Sequence, residues 1–223
     1  MLSTTPSLRY ERKYQIDHLP LAVVREIIRA HPASFRPLFP DRTIHNIYFD
    51  TPGLSTHTHN LLGAGERRKF RVRWYGDDPA RVVRPQLEVK RRLHFLGDKL
   101  TYPVADWEWQ MLSTLTQQVQ DHVVDAPALR PQLYNRYRRS YLGTADGRFR
   151  ITIDRELRYL PFARINSARL PTCLANVPFA SSVLIVELKY AAADDEYVGR
   201  IVGHLPFKLT KKSKYATGML VAR

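Results

Sequence analysis

Five short stretches of this sequence place charged and apolar residues on alternate positions, and that alternation constrains the fold more than any other feature. Successive side chains of a β-strand point to opposite faces, so positions i, i+2 and i+4 share one. Along 9–14, Arg9, Glu11 and Lys13 fall together, opposite Tyr10 and Tyr14. Along 69–74, Lys69, Arg71 and Arg73 lie opposite Phe70, Val72 and Trp74. Along 86–92, Glu88, Lys90 and Arg92 lie opposite Leu87, Val89 and Arg91. Arg148, Arg150, Thr152 and Asp154 lie opposite Phe149, Ile151 and Ile153, and Glu187 and Lys189 lie opposite Leu184, Val186 and Leu188. One such strand reads as half-buried, with its charge in solvent. Five in one chain read as a sheet whose apolar faces pack under helices while the charged faces point at one another.

Three more strands are expected near 42–50, 98–104 and 131–142, making about eight in all. Helical spacing predicts helices over 19–31 and 105–123, with two short ones around Pro206. The Pro- and Ala-rich stretch 159–181 reads as a loop. Strands that follow one another without intervening helices pair antiparallel, and closing them into a barrel removes the exposed edges. The expected fold is therefore α+β, an eight-stranded antiparallel β-barrel tunnel with helices outside. A chain of 223 residues fits a single domain, 1–223.

Thirty-five Lys and Arg against 21 Asp and Glu give a net charge of +14, which points to a polyanionic partner. Nucleic acid, an anionic membrane surface and a phosphate-rich small molecule all satisfy that number. Nucleic-acid binding calls for basic residues on an outer surface, whereas the alternation turns the charge inward. No apolar run approaches the roughly 18 to 20 residues of a membrane helix. The N-terminal MLSTTPSLRYERKY does not read as a signal peptide. The single cysteine, Cys173, excludes an intrachain disulfide and suits a reducing, cytoplasmic setting, with Cys173 in a structural role. His57 and His59 share a strand-like face among otherwise scattered histidines.

An arginine-rich interior is costly unless an anion fills it. The guanidinium fork offers two parallel donors to phosphate oxygens. The carboxylates Glu11, Glu88 and Glu187 are suited to a hard divalent cation, Mg2+ or Mn2+, bridging protein and phosphate. Glu88 reads equally as a salt-bridge partner that holds Lys90, and Asp154 as a group that orients Arg150. Phosphoryl transfer requires little beyond positioning, charge neutralisation and a metal.

The phrases RYERKY (9–14), IYFDTP (47–52), KFRVRWYG (69–76), LEVKRR (87–92), YRRSY (137–141), RITIDREL (150–157), LIVELKY (184–190) and KKSKYATGM (211–219) occur in one order. In that order they resemble the VTC domain, the polyphosphate polymerase domain of the triphosphate tunnel (CYTH-like) metalloenzymes, in its stand-alone bacterial form. The resemblance implies an eight-stranded tunnel that binds ATP and polyphosphate or triphosphate and polymerises the terminal phosphate of ATP with Mn2+ or Mg2+. It implies catalytic roles for Arg71, Arg73, Lys90, Arg139 and Arg150, with Arg136 and Arg138 competing with Arg139 for the arginine of the YxRxY motif. It implies phosphate contacts for Lys13, Lys69, Lys189, Ser213 and Lys214, the basic run continuing through Lys211 and Lys212. It implies metal ligation by Glu187, with Glu11 and Glu88. The first strand departs from the superfamily's ExExK pattern, carrying Arg9 where the first Glu stands, and this leaves fewer carboxylates for metal. A triphosphatase or tripolyphosphatase of the same fold and a non-catalytic polyphosphate or inositol-phosphate binding module stand as alternatives. A membrane-protein partner at the inner face of the membrane is a further expectation.

Overall fold

The alternating stretches form strands. The structure, a computed structural model, describes residues 9–93, 96–165, 182–210 and 213–221. In chain order it has β1 (Arg9–Ile16), α1 (Leu21–Arg29), β2 (Arg36–Asp50), α2 (Ser55–Leu61), β3 (Glu66–Tyr75), β4 (Gln86–Leu93) and β5 (Leu96–Pro103). There follow α3 (Leu112–His122), β6 (Arg130–Gly143), β7 (Phe149–Pro161), β8 (Leu184–Ala191), α4 (Val198–Val202) and α5 (Lys214–Val221). The strands make one sheet in the order β1-β8-β7-β6-β2-β3-β4-β5. The registers of β1 with β8, β7 with β8, β2 with β3, β3 with β4 and β4 with β5 are all antiparallel.

Eight antiparallel strands with helices outside are the expected architecture, but the sheet is not closed into a barrel by strand pairing. β1 and β5 end it. The outer edge of β1 is instead taken by an irregular segment: Tyr14 bridges Leu209, and the Thr210 N–H donates to the Lys13 carbonyl at 2.8 Å.

Other elements also depart from expectation. β2 starts at Arg36 rather than near residue 42, running through Pro37 and Pro40. Residues 55–61 form a helix, not a strand, so His57 and His59 share no strand face. The cause is Asp50, whose carboxylate accepts the backbone N–H groups of Thr56 and His57, both at 2.9 Å, and satisfies donors that a helix start leaves open. β7 continues to Pro161, past the expected start of the loop, and a 3-10 turn covers Phe162–Arg164. The rest of that loop, with Cys173, lies outside the described residues, as do Lys211 and Lys212.

The chain divides into two compact units, one of Met1–Arg42, Arg138–Leu157 and Ser181–Lys212, the other of Thr43–Tyr137, Arg158–Ala180 and Ser213–Arg223. In the first, Tyr14, Ile16, Ile151, Ile153, Val186 and Leu188 are buried together with Val24 and Ile28 of α1. Val24 and Ile28 are four residues apart, so they share the helix face turned to the sheet. In the second, Phe70, Val72, Trp74, Leu87 and Val89 pack with Leu115 and Val119 of α3 and with Trp107 and Trp109. Each such buried side chain stabilises its unit by about 1.5–3 kcal/mol, which is why the opposite faces of the same strands are left to the charged residues. No helix among the described residues is long and apolar enough to cross a membrane.

His45, fully buried in the second unit, makes stability depend on pH. Its Nδ1 accepts from the Tyr134 hydroxyl and its Nε2–H donates to the Gly76 carbonyl, both at 2.7 Å, while the ring stacks on Trp74. Burial lowers its pKa to about 4. An unfolded histidine titrates near 6.5. The unfolded chain therefore binds a proton that the folded chain refuses as pH falls below about 6.5. The stability gained from this site is complete above that pH and is lost progressively down to about 4, by about 3 kcal/mol in all. Urea unfolding between pH 7 and 4 is expected to show that loss in the wild type and a flatter profile in His45→Gln. Equal slopes would assign the pH dependence to other groups.

Candidate functional site

In the first unit the charged face of β1, β8 and β7 is a lattice of mixed sign, alternating between β1 and β8. Across the strands Lys13 stands opposite Glu187, and Glu187 opposite Thr152; one pair along, Glu11 stands opposite Lys189, and Lys189 opposite Arg150. The Lys13 Nζ lies 2.7 Å from Glu11 and 3.9 Å from Glu187, and the Lys189 Nζ lies 3.1 Å from Glu187 and 3.7 Å from Glu11. Arg139 reaches in from β6, with Nη2 3.6 Å from Glu187. Of the three arginines competing for the YxRxY position, Arg139 is the buried one, Arg138 is exposed and Arg136 belongs to the other unit.

Arg139 is fixed by Asp154. Its Nε and Nη2 donate to the two carboxylate oxygens at 2.5 and 2.7 Å, and Asp154 has no exposed surface. Asp154 thus orients Arg139 rather than Arg150. Burial lowers the pKa of Arg150, and repulsion from Arg9 and Arg139 adds to the effect. Half-buried and next to two other arginines, Arg150 is placed to meet an anion.

Glu11 and Glu187 share both lysines, which places the two carboxylates side by side. Among the described residues no group of three His, Cys, Asp or Glu gathers to hold a metal. Two carboxylates suit Mg2+ or a similar ion, which commonly takes one or two from the protein and completes its shell with water and substrate phosphate. The donor set therefore fits a metal that arrives with phosphate.

In the second unit the corresponding face is far more basic. Lys69 pairs with Lys90 and Lys90 with Lys99, a row of three lysines over β3, β4 and β5. Arg67 pairs with Arg92 beside them. Burial lowers the Arg67 pKa, and the Arg92 charge lowers it further. Like charges set directly opposite each other destabilise a sheet.

Glu88 sits among these cations, 3% exposed. It accepts from the Arg71 Nε at 2.6 Å and the Lys99 Nζ at 2.9 Å, with the Arg73 Nη1 at 3.6 Å. Burial alone would raise its pKa, but the charges of Arg71, Arg73 and Lys99 hold it far below the carboxylate range. Of the two roles expected for Glu88, its recorded contacts are those of a salt-bridge partner. The cations it holds are Arg71, Arg73 and Lys99, with Lys90 one pair along.

Tyrosines aim the arginines. The Arg73 Nη2 donates to the Tyr137 hydroxyl at 3.1 Å and its Nε to Asn46 at 2.9 Å, while the Arg71 Nη1 lies 3.5 Å from the Tyr48 hydroxyl. The C-terminal motif joins the same face. The Lys69 Nζ donates to the Ser213 hydroxyl at 2.9 Å, and the Lys214 ammonium lies over the Tyr137 ring. Tyr215 anchors this arrangement, donating to Asp50 at 2.7 Å and stacking on Tyr48. Gly218 permits it, since a Cβ there would lie 2.4 Å from Leu133 and 2.5 Å from Tyr159.

The first unit thus brings together Glu11, Lys13, Arg139, Arg150, Glu187 and Lys189, and the second Lys69, Arg71, Arg73, Glu88, Lys90, Ser213 and Lys214. Sequence reasoning missed Lys99 and the orienting roles of Tyr48 and Tyr137. The alternation of Lys99 with Leu100 carried the signal for the first. The strand spacing that places Tyr48 opposite Arg71 becomes visible only once the register is known.

Solved structures share the fold at low identity. A Vibrio parahaemolyticus protein provisionally named an adenylate cyclase matches at 11% identity, with 96% of this chain and 98% of that chain covered and a TM-score of 0.56. A Bacillus halodurans protein given the same provisional name matches at 11%, covering 94% and 96%, with a TM-score of 0.54. A Pyrococcus horikoshii protein matches at 12%, covering 95% of each chain, with a TM-score of 0.50. No curated relative matches the sequence. The family model of the VTC domain matches residues 8–223, from the start of β1 through the C-terminal motif, and the chain belongs to the VTC-domain family.

Proposed function

We propose that the protein catalyses metal-assisted phosphoryl transfer as a polyphosphate polymerase, moving the terminal phosphate of ATP onto a growing chain. The observation that carries this reading is the row Lys69, Lys90 and Lys99 beside the pair Arg67 and Arg92. Like charges set opposite one another repel, and a polyanion laid across the row relieves that repulsion. Arg71, Arg73 and Lys90, with Lys69, Ser213 and Lys214, grip phosphate oxygens in that unit. In the other, Lys13, Lys189, Arg139 and Arg150 neutralise phosphate, and Glu187 and Glu11 hold Mg2+ or Mn2+. A divalent cation, when bound, withdraws charge from the transferring phosphoryl group. The attacking group is a terminal phosphate oxygen, so no protein nucleophile is required. Neighbours named for adenylate cyclase, an activity on a nucleoside triphosphate, are consistent with such a substrate.

The test is incubation with ATP and Mn2+, reading both polymer and free phosphate. Polymer is the expected product, and Glu187→Gln is expected to lower its rate about a hundredfold, the scale of losing one electrostatic contact to a transition state. Free phosphate without polymer would replace the polymerase by a triphosphatase. Neither product, with tripolyphosphate still bound, would make the protein a binding module and overturn the catalytic reading.

A further inference from the structure

The first unit holds a cavity that the charged lattice does not use. It lies between α1, the start of β2 and the end of β6, with a volume of about 730 Å3. That falls within the range of small-molecule sites. Its wall includes Arg25 and Arg29 of α1, Arg36 and Phe39 of β2, and Ser140 and Tyr141 of β6. Ser140 follows Arg139 and contacts Arg25 and Arg155, while Arg139 contacts Asp154 and Glu187. Neighbouring residues of a strand face opposite sides, so Ser140 turns away from the metal and phosphate lattice, while Tyr141 turns toward it and borders it, its ring 6.0 Å from the Arg139 guanidinium.

We infer that this cavity binds a phosphate monoester carried on a planar aromatic body, such as a nucleoside monophosphate. The charge count favours a small anion. Three arginines in the wall meet two carboxylates, Arg25 with Asp41 at 3.0 Å and Arg29 with Glu26 at 2.6 Å. Asp41 is also shared with Arg155 at 2.8 Å. The excess is one or two positive charges, matching a phosphate monoester and far below that of the lysine and arginine rows on β3, β4 and β5. The aromatic residues favour a planar partner. Phe39 keeps 49% of its surface exposed and meets Tyr141 edge to face, with the Arg42 guanidinium 5.1 Å from the Phe39 ring and 5.8 Å from that of Tyr141. With Arg42 and Tyr141 holding the ring on their sides, the exposed part of Phe39 is left for a planar partner such as a base. Ser140 and Asp41 are already locked by Arg25 and Arg155, so this side of the cavity is built before a ligand arrives.

Calorimetric titration of the full chain with AMP, ribose 5-phosphate and tripolyphosphate tests the site without reference to turnover. AMP is expected to bind, to remain bound when tripolyphosphate is added, and to bind about tenfold more tightly than ribose 5-phosphate. The exposed pair Arg36→Glu and Phe39→Ala is expected to weaken AMP about tenfold or more and leave tripolyphosphate unchanged. Lys90→Ala is expected to do the reverse. Absence of AMP binding at about 1 mM, displacement of AMP by tripolyphosphate, or loss of AMP in Lys90→Ala with retention in the cavity variant would each overturn the inference.

Discussion

Asp154→Asn is expected to destabilise the protein by about 3–5 kcal/mol, the cost of leaving a buried charge without its partner. Asp154 has no exposed surface, and it meets both donors of Arg139, itself 7% exposed, with two short charge-assisted hydrogen bonds. Asparagine keeps the shape but turns one acceptor into a donor facing a guanidinium. Glu187, at 3.6 Å and already shared with two lysines, is a weaker counter-ion for Arg139 than Asp154. For a domain of this size each kcal/mol lowers the melting temperature by about 2–4 °C, so a loss on the order of 10 °C is the readout. The pair replacement Arg139→Met with Asp154→Leu is expected to recover most of the stability, because an apolar pair of similar volume leaves no charge to compensate. It would still weaken phosphate binding, since Arg139 is gone. A loss under about 1 kcal/mol in Asp154→Asn, the level of an exposed ion pair, would show that Arg139 is held by Glu187 and solvent instead.

The charged faces were legible because strand alternation is a local property. Arg71, Arg73, Glu187 and Lys189 fall two apart in the sequence, and nothing further along the chain can move them to the other face. The partners of those residues were not legible. That Glu88 meets Lys99, and Asp154 meets Arg139, depends on register, which the pairing of distant segments decides. α2 escaped notice because STHTHNL lacks helical patterning and starts only with Asp50 satisfying its first donors, while Asp50 is held from 165 residues away by Tyr215. The closed barrel was a sound inference from the number of strands and failed on the same ground. The segment at Leu209 and Thr210 occupies the edge of β1 that a closing strand would need, and no local pattern announces it. β2 extends back to Arg36 through Pro37 and Pro40, since proline is tolerated in a strand wherever its missing N–H faces no partner.

Glu88→Gln separates the two roles open to that carboxylate. If Glu88 is the counter-ion of Arg71, Arg73 and Lys99, its removal leaves three cations together in a setting where Arg73 is 6% exposed. A loss of about 3–5 kcal/mol is then expected in the absence of ligand. The freed cations gain an anion when tripolyphosphate binds, so the variant is expected to bind it more tightly than the wild type, by about tenfold for each 1.4 kcal/mol of relieved repulsion. Because a ligand that binds only the folded state stabilises it in proportion to its affinity and concentration, tripolyphosphate should raise the melting temperature of Glu88→Gln more than that of the wild type. If Glu88 instead ligates the metal, the pattern inverts. Stability without ligand changes little, tripolyphosphate binding without metal is unaltered, and the increment that Mn2+ adds to that binding disappears. Melting curves with and without tripolyphosphate and Mn2+ decide between them. The short contacts from Arg71 and Lys99 make the first outcome the expected one, with Glu88 keeping the basic face folded until a phosphate chain takes over part of its charge.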